Sequence, residues 1–165
     1  MKIKWVLIIL GAIIVWFGFL AVVIFIIPTN KIDGEIRSSV QEPIWIFVLP
    51  FSDDAFTMLV GHKAARLLYE DQLFNIEIRK QKSINPEIEQ KWEEAKMRYS
   101  NFMFELKLNG LYEKILVKRD GAFSFTKPFG HYLIIADQNR KMLHFDEFQL
   151  SVFQTRRFDR VIDEQ

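Results

Sequence analysis

The sequence predicts an α+β protein in which a single N-terminal membrane helix precedes a mainly β soluble domain. Three patterns lead to this: a long uncharged apolar run near the N-terminus, two helical patterns mid-chain, and many short apolar segments separated by turn residues. We expect an antiparallel β-sandwich of about seven strands with two inserted helices. The expected boundaries are 1–28 for the anchor, 29–155 for the sandwich and 156–165 for a polar, frayed tail.

The anchor is predicted from Trp5–Ile27, a stretch without a charged residue. A helix of about 23 residues covers roughly 30 Å, which is the thickness of the hydrocarbon layer. A cleaved signal peptide has a shorter apolar region followed by small residues, whereas this run ends in Ile27-Pro28. The sequence therefore predicts a retained signal anchor in contact with the lipid bilayer.

The charges beside the anchor predict its orientation. Lys2 and Lys4 lie directly before it, while Lys31 and Arg37 stand further away on the other side. Under the positive-inside rule, the N-terminus is then cytoplasmic and the C-terminal domain periplasmic or extracellular. Within the anchor, Gly11 and Gly18 lie on a face of small side chains that permits weak helix–helix association; the alternative is that glycine is simply common in membrane helices.

The first part of the soluble domain is predicted to alternate strands and helices. Lys31–Ser38 carries two isoleucines around Gly34, and Ile44–Leu49 is an apolar run between two prolines that is typical of a buried strand. Ser52 can cap a helix that begins with two acidic residues, and Gly61 weakens this helix. The apolar stripe expected to face the core comprises Phe56, Leu59, Val60, Ala64, Leu67 and Leu68.

A strand and a second helix should follow. Apolar and polar residues alternate over 74–78, as in a half-buried strand. Asn85 and Pro86 then provide an N-cap and a first helical residue. The expected buried face is Ile88, Trp92, Ala95 and Tyr99, and the expected ion pairs are Glu87–Lys91 and Glu94–Arg98.

The remaining chain is predicted to form a β-meander. Asn109-Gly110 and Asp120-Gly121 separate apolar strands at 102–108, 111–118 and 123–126, and such pairs favour type I′ hairpin turns. Further strands are expected at 131–136 and 148–152, with a turn at 137–140. Phe123 and Phe125 should point into the core, while Ser124 faces solvent.

Several of these segments resemble the transthyretin-like, carboxypeptidase-regulatory-like β-sandwich family. The resemblance rests on Gly121-Ala122-Phe123-Ser124-Phe125, on Gly130-His131-Tyr132 and on Asp137-Gln138-Asn139, and it covers about half of the soluble part. Pro128 is separated from Gly130 by Phe129, whereas the family commonly places proline directly before this glycine. The resemblance implies a sandwich fold and a domain that binds or assists; it implies no catalytic residue.

Composition excludes several classes of function. The net charge is +1, with no basic cluster of the kind that binds nucleic acid, so no nucleic-acid partner is expected. Cysteine is absent, which excludes disulfides, thiolate metal sites and a cysteine nucleophile.

No catalytic, cofactor or metal site is predicted. His62, His131 and His144 lack ligand spacing, and the pair His144 and Asp146 is too few ligands for an ion. Asp137, Asn139 and Asp146 faintly suggest a calcium loop, but no glutamate closes it. The remaining acidic cluster, Glu89, Glu93 and Glu94, alternates with basic residues as on a solvated helix face. Serine-hydrolase and phosphate-loop motifs are also absent from the sequence.

These observations together favour a membrane-anchored, non-enzymatic binding or assembly module that recruits a protein partner at the membrane surface. The alternative hypothesis is an accessory subunit of an envelope enzyme whose catalytic part lies on another chain. A stable partner purified from gently solubilised membranes would distinguish the two.

Overall fold

The computed structural model describes residues 2–25, 30–38, 43–79, 83–117, 121–139, 141–151 and 154–162. Within the first helix, side chains are described for residues 9–23. In chain order, the elements are α1 (Lys2–Phe25), β1 (Asn30–Ser38), β2 (Ile44–Pro50), α2 (Asp53–Arg79), α3 (Pro86–Asn109), β3 (Glu113–Val117), β4 (Gly121–Lys127), β5 (Gly130–Gln138), β6 (Lys141–Leu150) and β7 (Thr155–Ile162).

The domain after α1 has three layers. The seven described strands form two sheets, with strand orders β4-β1-β7 and β3-β2-β5-β6. One face of the four-stranded sheet packs on the three-stranded sheet, and its other face packs on α2 and α3. The α+β class, the two sheets and the two helices inserted between β2 and β3 are therefore confirmed.

Strands β2 and β5 lie in the middle layer and are buried on both faces. Because successive side chains of a strand point in opposite directions, Ile46 and Ile134 face the other sheet, while Phe47 and Leu133 face the helices. A strand that is covered twice needs apolar residues at every position, which explains the continuous run at Ile44–Leu49.

Strand β4 confirms the alternation predicted for it. Phe123 and Phe125 are each 5% exposed in the core between the sheets, and Ser124 is exposed on the outer face. The Phe123 ring lies across Gly34 of β1, where an added Cβ would collide with that ring and with the carbonyl oxygen of Phe158. Glycine at position 34 therefore permits the close approach of β1 to these neighbours.

Both helices of the outer layer begin at the predicted caps. The Ser52 hydroxyl accepts a hydrogen bond from the backbone N–H of Ala55 at 3.2 Å, and the Asn85 side chain accepts one from the N–H of Glu87 at 2.9 Å. These bonds satisfy amide groups that the first helical turn leaves unpaired. The caps therefore fix where α2 and α3 start.

Each helix is longer than predicted, and two expected strands are wrong. Residues 74–78 continue α2, and residues 102–108 continue α3. Extending an existing helix adds one hydrogen bond for each residue ordered, so a short alternating segment beside a helix is readily absorbed by it.

Asn109-Gly110 ends α3 and does not form a hairpin. Gly110 has φ of 61°, and its N–H lies 3.4 Å from the Lys107 carbonyl oxygen. The next N–H, that of Leu111, donates to the Leu106 carbonyl oxygen at 3.2 Å. This pair of bonds is the Schellman motif, which requires the same left-handed glycine as a type I′ turn.

The prediction of a wholly antiparallel meander is also wrong. β3 and β4 lie in different sheets, so the hairpin predicted at Asp120-Gly121 is wrong; Gly121 begins β4, and Asp120 lies outside the described residues. β7 runs parallel to β1, with Lys31 opposite Thr155 and Gly34 opposite Phe158. The prediction of a frayed tail at 156–165 is thus wrong for residues 156–162, which belong to β7 and include Phe158 at 5% exposure. The turn expected at 137–140 does fall between β5 and β6, with Asn139 at φ of 51°, but the strand expected at 148–152 begins at Lys141 and pairs with β5.

Candidate functional site: the groove between α2 and α3

Helices α2 and α3 pack together through aromatic side chains on the side that faces the sheet. The ring of Trp92 lies 5.1 Å from that of His62 and 6.0 Å from that of Tyr69. Trp92 and Tyr99 are buried and Ile88 and Ala95 half-buried, which confirms the predicted inner face of α3. The predicted pairs are present as well, at 2.7 Å for Lys91–Glu87 and 3.8 Å for Arg98–Glu94.

Beside this contact, the two helices enclose an open groove of about 710 Å³, which we term the α2–α3 groove. It is lined by Asp54, Thr57, Met58, Gly61, His62, Ala65, Leu68, Ile88, Lys91, Glu94, Ala95 and Arg98. Gly61, Ala65 and Ala95 have small side chains, and a Cβ added to Gly61 would meet no atom within 4 Å. The small residues therefore leave space that larger side chains would fill.

His62 is the buried polar residue of the groove. It is 2% exposed, and its Nδ1 atom has no hydrogen-bond partner among the described residues. Its ring packs on Tyr99 at 4.8 Å. Desolvation by burial, and secondarily the charge of Arg66, lower the pKa of His62 from 6.5 to about 4. The imidazole is therefore neutral at neutral pH and places a polar ring among the aromatic side chains of the helix layer.

A buried hydrogen bond connects the helix layer to the sheet. The Tyr99 hydroxyl donates to Asp137 Oδ2 at 2.6 Å, and these residues are 0% and 4% exposed. Burial, followed by the charge of Asp137 and the hydrogen bond to it, raises the pKa of Tyr99 well above its usual value. This bond fixes α3 against β5.

A second concavity, of about 650 Å³, lies between the C-terminal half of α3 and the edge of the four-stranded sheet. It is lined by Trp45, Phe47, Ser100, Asn101, Met103, Phe104, Lys107, Tyr112, Lys114, Asp137 and Asn139. The Lys114 ammonium group occupies one face of Trp45, at 4.5 Å from the ring centroid. That indole face is therefore already covered.

The three histidines are not brought together. His62 lies under α3, His131 stacks on Phe51 at 3.9 Å between ring centroids, and His144 lies on β6. Arg160 donates to His144 Nε2 at 3.0 Å and to Asp146 Oδ2 at 2.6 Å, so this pair is held by a guanidinium group. Burial, and then Arg160, lower the pKa of His144.

The acidic residues considered from the sequence have structural neighbours instead. Glu93 pairs with Lys96 on the exposed side of α3, as expected for a solvated face, whereas Glu94 pairs with Arg98 at the α2–α3 groove. Asp137 is bound by Tyr99, whereas Asp146 is bound by Arg160. Within the described ranges, no group of three or more metal-ligating side chains occurs.

The groove was missed by sequence reasoning. Two features of the sequence could have indicated it. Gly61 weakens the helical pattern of α2 although no turn is needed there, and His62 is an isolated histidine within an apolar stripe. The apolar stripe predicted for α2 is wrong in part, because Val60, Leu67 and Leu68 are 43%, 52% and 53% exposed. The buried residues of α2 are Ala55, Leu59 and His62.

Among the residues that the structure describes, no helix is both long enough and apolar enough to span a membrane.

Comparison with known proteins gives only distant structural similarity. No family model and no curated protein matches the chain. Among solved structures, it is similar to the pilus backbone RrgB of Streptococcus pneumoniae, at 9% identity and a TM-score of 0.31 over 81% of this chain. The full-length major pilin RrgB of the same organism matches at 10% identity and a TM-score of 0.28 over 80% of this chain. The chain spans 40% and 30% of the lengths of these two pilin structures.

Proposed function

We propose that this protein is a membrane-anchored, non-enzymatic binding module whose α2–α3 groove receives an amphipathic helix of a partner protein. The observation that carries the proposal is the groove itself, which is open, mainly apolar and lined by small residues along both helices. Grooves of this kind bind the apolar face of a helix through side chains that recur every three or four residues.

The dimensions of the groove fit a helix. Its lining residues on α2 extend from Asp54 to Leu68, a distance of about 21 Å along the helix axis. Small residues at Gly61, Ala65 and Ala95 allow the backbone of an incoming helix to approach closely. Met58 is flexible and can adapt to the shape of the bound side chains.

The anchor in this proposal is Trp5–Ile27, and it rests on the uncharged sequence of that run. α1 occupies Lys2–Phe25, and residues 26–29 lie outside the described part of the chain. The described large apolar side chains of α1, among them Ile14, Trp16 and Phe17 at 64–65% exposure, are uncovered by the rest of the protein. With Lys2 and Lys4 on the cytoplasmic side, the groove is presented outside the cytoplasm.

We retain the relationship to transthyretin-like domains as part of the proposal. It is supported by the burial of Phe123, Phe125 and Tyr132 between the two sheets. The helix pair is an addition to a minimal sandwich, and it contains the groove.

The experiment compares partner capture by the full chain and by a variant with a filled groove. Gly61→Leu places a large side chain in open space, so the domain should fold while the captured helical partner is lost. Thr126→Leu, on the exposed outer face of β4, is the matched control and should capture as the original chain does.

Site-specific photocrosslinking from Ala65 then tests whether the captured protein occupies the groove through a helix. Crosslinks at every third or fourth residue of the partner support the proposal. Equal capture by the Gly61→Leu variant, or crosslinks without helical spacing, would overturn it. A captured hydrolase or transferase would favour the alternative, in which this protein is an accessory subunit of an enzyme. The proposal of an independent binding module would then be wrong.

A further inference from the structure

The outward side of α2 carries a second apolar surface, distinct from the groove. We term it the α2 seam: Val60, Ala64, Leu67, Asp71, Phe74 and Ile78, all of which are exposed. Its four large apolar residues are 43–63% exposed. The seam residues are spaced alternately four and three apart, which is the spacing of the a and d positions in a coiled coil. α2 therefore presents a coiled-coil surface that nothing in the described part of the chain covers.

We propose that the α2 seam is a homodimer interface, in which α2 of one copy packs antiparallel against α2 of a second copy. The two-fold axis passes near Tyr69, midway along the seam. Such an interface is isologous, so the same residues serve both subunits.

Side-chain size favours this antiparallel arrangement. A two-fold axis at this level places Ala64 opposite Phe74 of the second copy, and Val60 opposite Ile78. Small residues then face large ones, which fills the layers between the helices. A parallel pair would instead place Ala64 opposite Ala64 and leave a gap in that layer.

Asp71 gives a second argument for the antiparallel arrangement. In a parallel pair, the two Asp71 carboxylates would face each other at one buried layer, where like charges are unfavourable. In the antiparallel pair, each Asp71 faces Leu67 of the second copy. Its Oδ2 atom already accepts a hydrogen bond from Asn75 at 3.0 Å, which satisfies part of the carboxylate.

Charges beside the seam identify the occupant as a second copy. Lys63 and Glu77 are exposed and flank the seam. The Lys63 ammonium group lies 5.8 Å from the ring centroid of Phe145, and neither Lys63 nor Glu77 forms an ion pair within the part of the chain that the structure describes. The same two-fold axis brings Lys63 next to Glu77 of the second copy, and symmetry repeats the pair. The surface is thus complementary to itself in shape and at the two Lys63–Glu77 contacts. Glu70, which would lie beside its own copy near the axis, is already paired with Arg66 at 3.0 Å.

Cysteine crosslinking of the full chain in detergent micelles tests the arrangement, because the chain has no cysteine of its own. Val60 and Ile78 lie about 27 Å apart along α2, too far for a disulfide within one chain, which needs Cα atoms within about 7 Å. Val60→Cys alone and Ile78→Cys alone should form no disulfide-linked dimer under mild oxidation. A mixture of these two variants, carrying different affinity tags, should form a disulfide-linked heterodimer.

A charge exchange supplies an independent readout. Lys63→Glu or Glu77→Lys should each weaken dimerisation about threefold to tenfold, because two exposed ion pairs become repulsive contacts. The double variant should recover the original dimer dissociation constant, measured by analytical ultracentrifugation. Leu67→Glu should abolish dimerisation while far-UV circular dichroism stays unchanged.

Three outcomes would overturn the proposal. Crosslinking of either single-cysteine variant with itself would mean a parallel pair. A monomeric full chain would mean that the seam does not self-associate. Failure of the double charge variant to recover would mean that Lys63 and Glu77 do not meet.

Discussion

The core between the two sheets and the layer between the helices and the sheet are both buried, but they differ in the residues that they contain and in the surface that they leave open. The core between the sheets consists mainly of aliphatic and aromatic side chains, and its Tyr132 hydroxyl donates to the Pro128 carbonyl oxygen at 3.2 Å. Two polar residues of the sandwich, Asn30 on β1 and Lys127 on β4, are also buried. The helix layer buries His62 and Asp137, and it additionally leaves an open groove and an exposed apolar seam. This difference in open surface supports the proposal that the helix layer carries the binding surfaces, while the sandwich stabilises the domain.

The largest expected effect is in the sandwich. Phe125→Ala should lower the free energy of unfolding by about 3–5 kcal/mol, because it removes a buried ring and leaves a cavity between the sheets. Urea unfolding of the full chain in a mild nonionic detergent, followed by tryptophan fluorescence, measures the change.

Ser124→Ala is the matched control for Phe125→Ala. Its hydroxyl is exposed and donates to Asp33 at 2.6 Å, so its removal should cost less than about 1 kcal/mol. Similar unfolding midpoints for the two variants would mean that β4 does not separate a core face from a solvent face.

The sandwich was largely predictable from sequence because its signals are local. Alternation in β4 and the double burial of β2 follow from the strand period and from continuous apolar runs. The parallel pairing of β1 with β7 was not predictable, since it joins residues such as Lys31 and Thr155 from opposite ends of the domain. No local turn signal can report such a pairing.

A smaller effect is expected from His62 in the helix layer, and it depends on pH. The pKa of His62 is about 4 in the folded protein, against an ordinary value of 6.5. Between these pH values the unfolded chain binds a proton that the folded one does not. The contribution of neutral His62 to the free energy of unfolding is therefore fully present above pH 6.5. It is lost as pH falls towards 4, and the free energy of unfolding decreases by about 2–3 kcal/mol.

Unfolding curves at pH 7 and pH 4.5 should therefore differ less for His62→Gln than for the original chain. His131→Gln, which removes an exposed histidine, is the control for the loss of an imidazole. If the two variants lose stability equally between these pH values, His62 is not the group responsible.

A third prediction concerns the bond that fixes α3 against β5. Tyr99→Phe removes the hydroxyl that donates to Asp137 and leaves the buried carboxylate with one donor fewer. We expect a loss of about 1–2 kcal/mol in unfolding free energy. Tyr112→Phe is the control, because the Tyr112 ring packs edge-on against Phe47 at 5.2 Å and its hydroxyl makes no hydrogen bond to a described residue. Equal effects of the two variants would contradict a specific role for the Tyr99–Asp137 bond.

The helix layer was harder to predict, for two physical reasons. Asn109-Gly110 suits a hairpin and a helix end equally well, since each needs a left-handed glycine, and only the tertiary structure selects between them. α2 contains fourteen apolar or aromatic residues, and which of them are buried depends on where α3 and the sheet lie. Caps and ion pairs of α3 were predictable because they connect residues two to four apart.

The smallest expected effect is a gain in stability. It measures how much the glycine that lines the open groove lowers the free energy of unfolding. Gly61 lies in the interior of α2, and an added Cβ meets nothing within 4 Å, so Gly61→Ala should raise the free energy of unfolding by about 0.5–1 kcal/mol. One methyl group fills little of a groove of about 710 Å³, and partner capture should therefore persist in this variant while it is lost in Gly61→Leu. Urea midpoints and capture yields, measured on both variants, separate helix propensity from groove volume. A fall in the midpoint of Gly61→Ala would mean that the space beside Gly61 is closed in the folded protein, and the groove would then be too shallow for a helix.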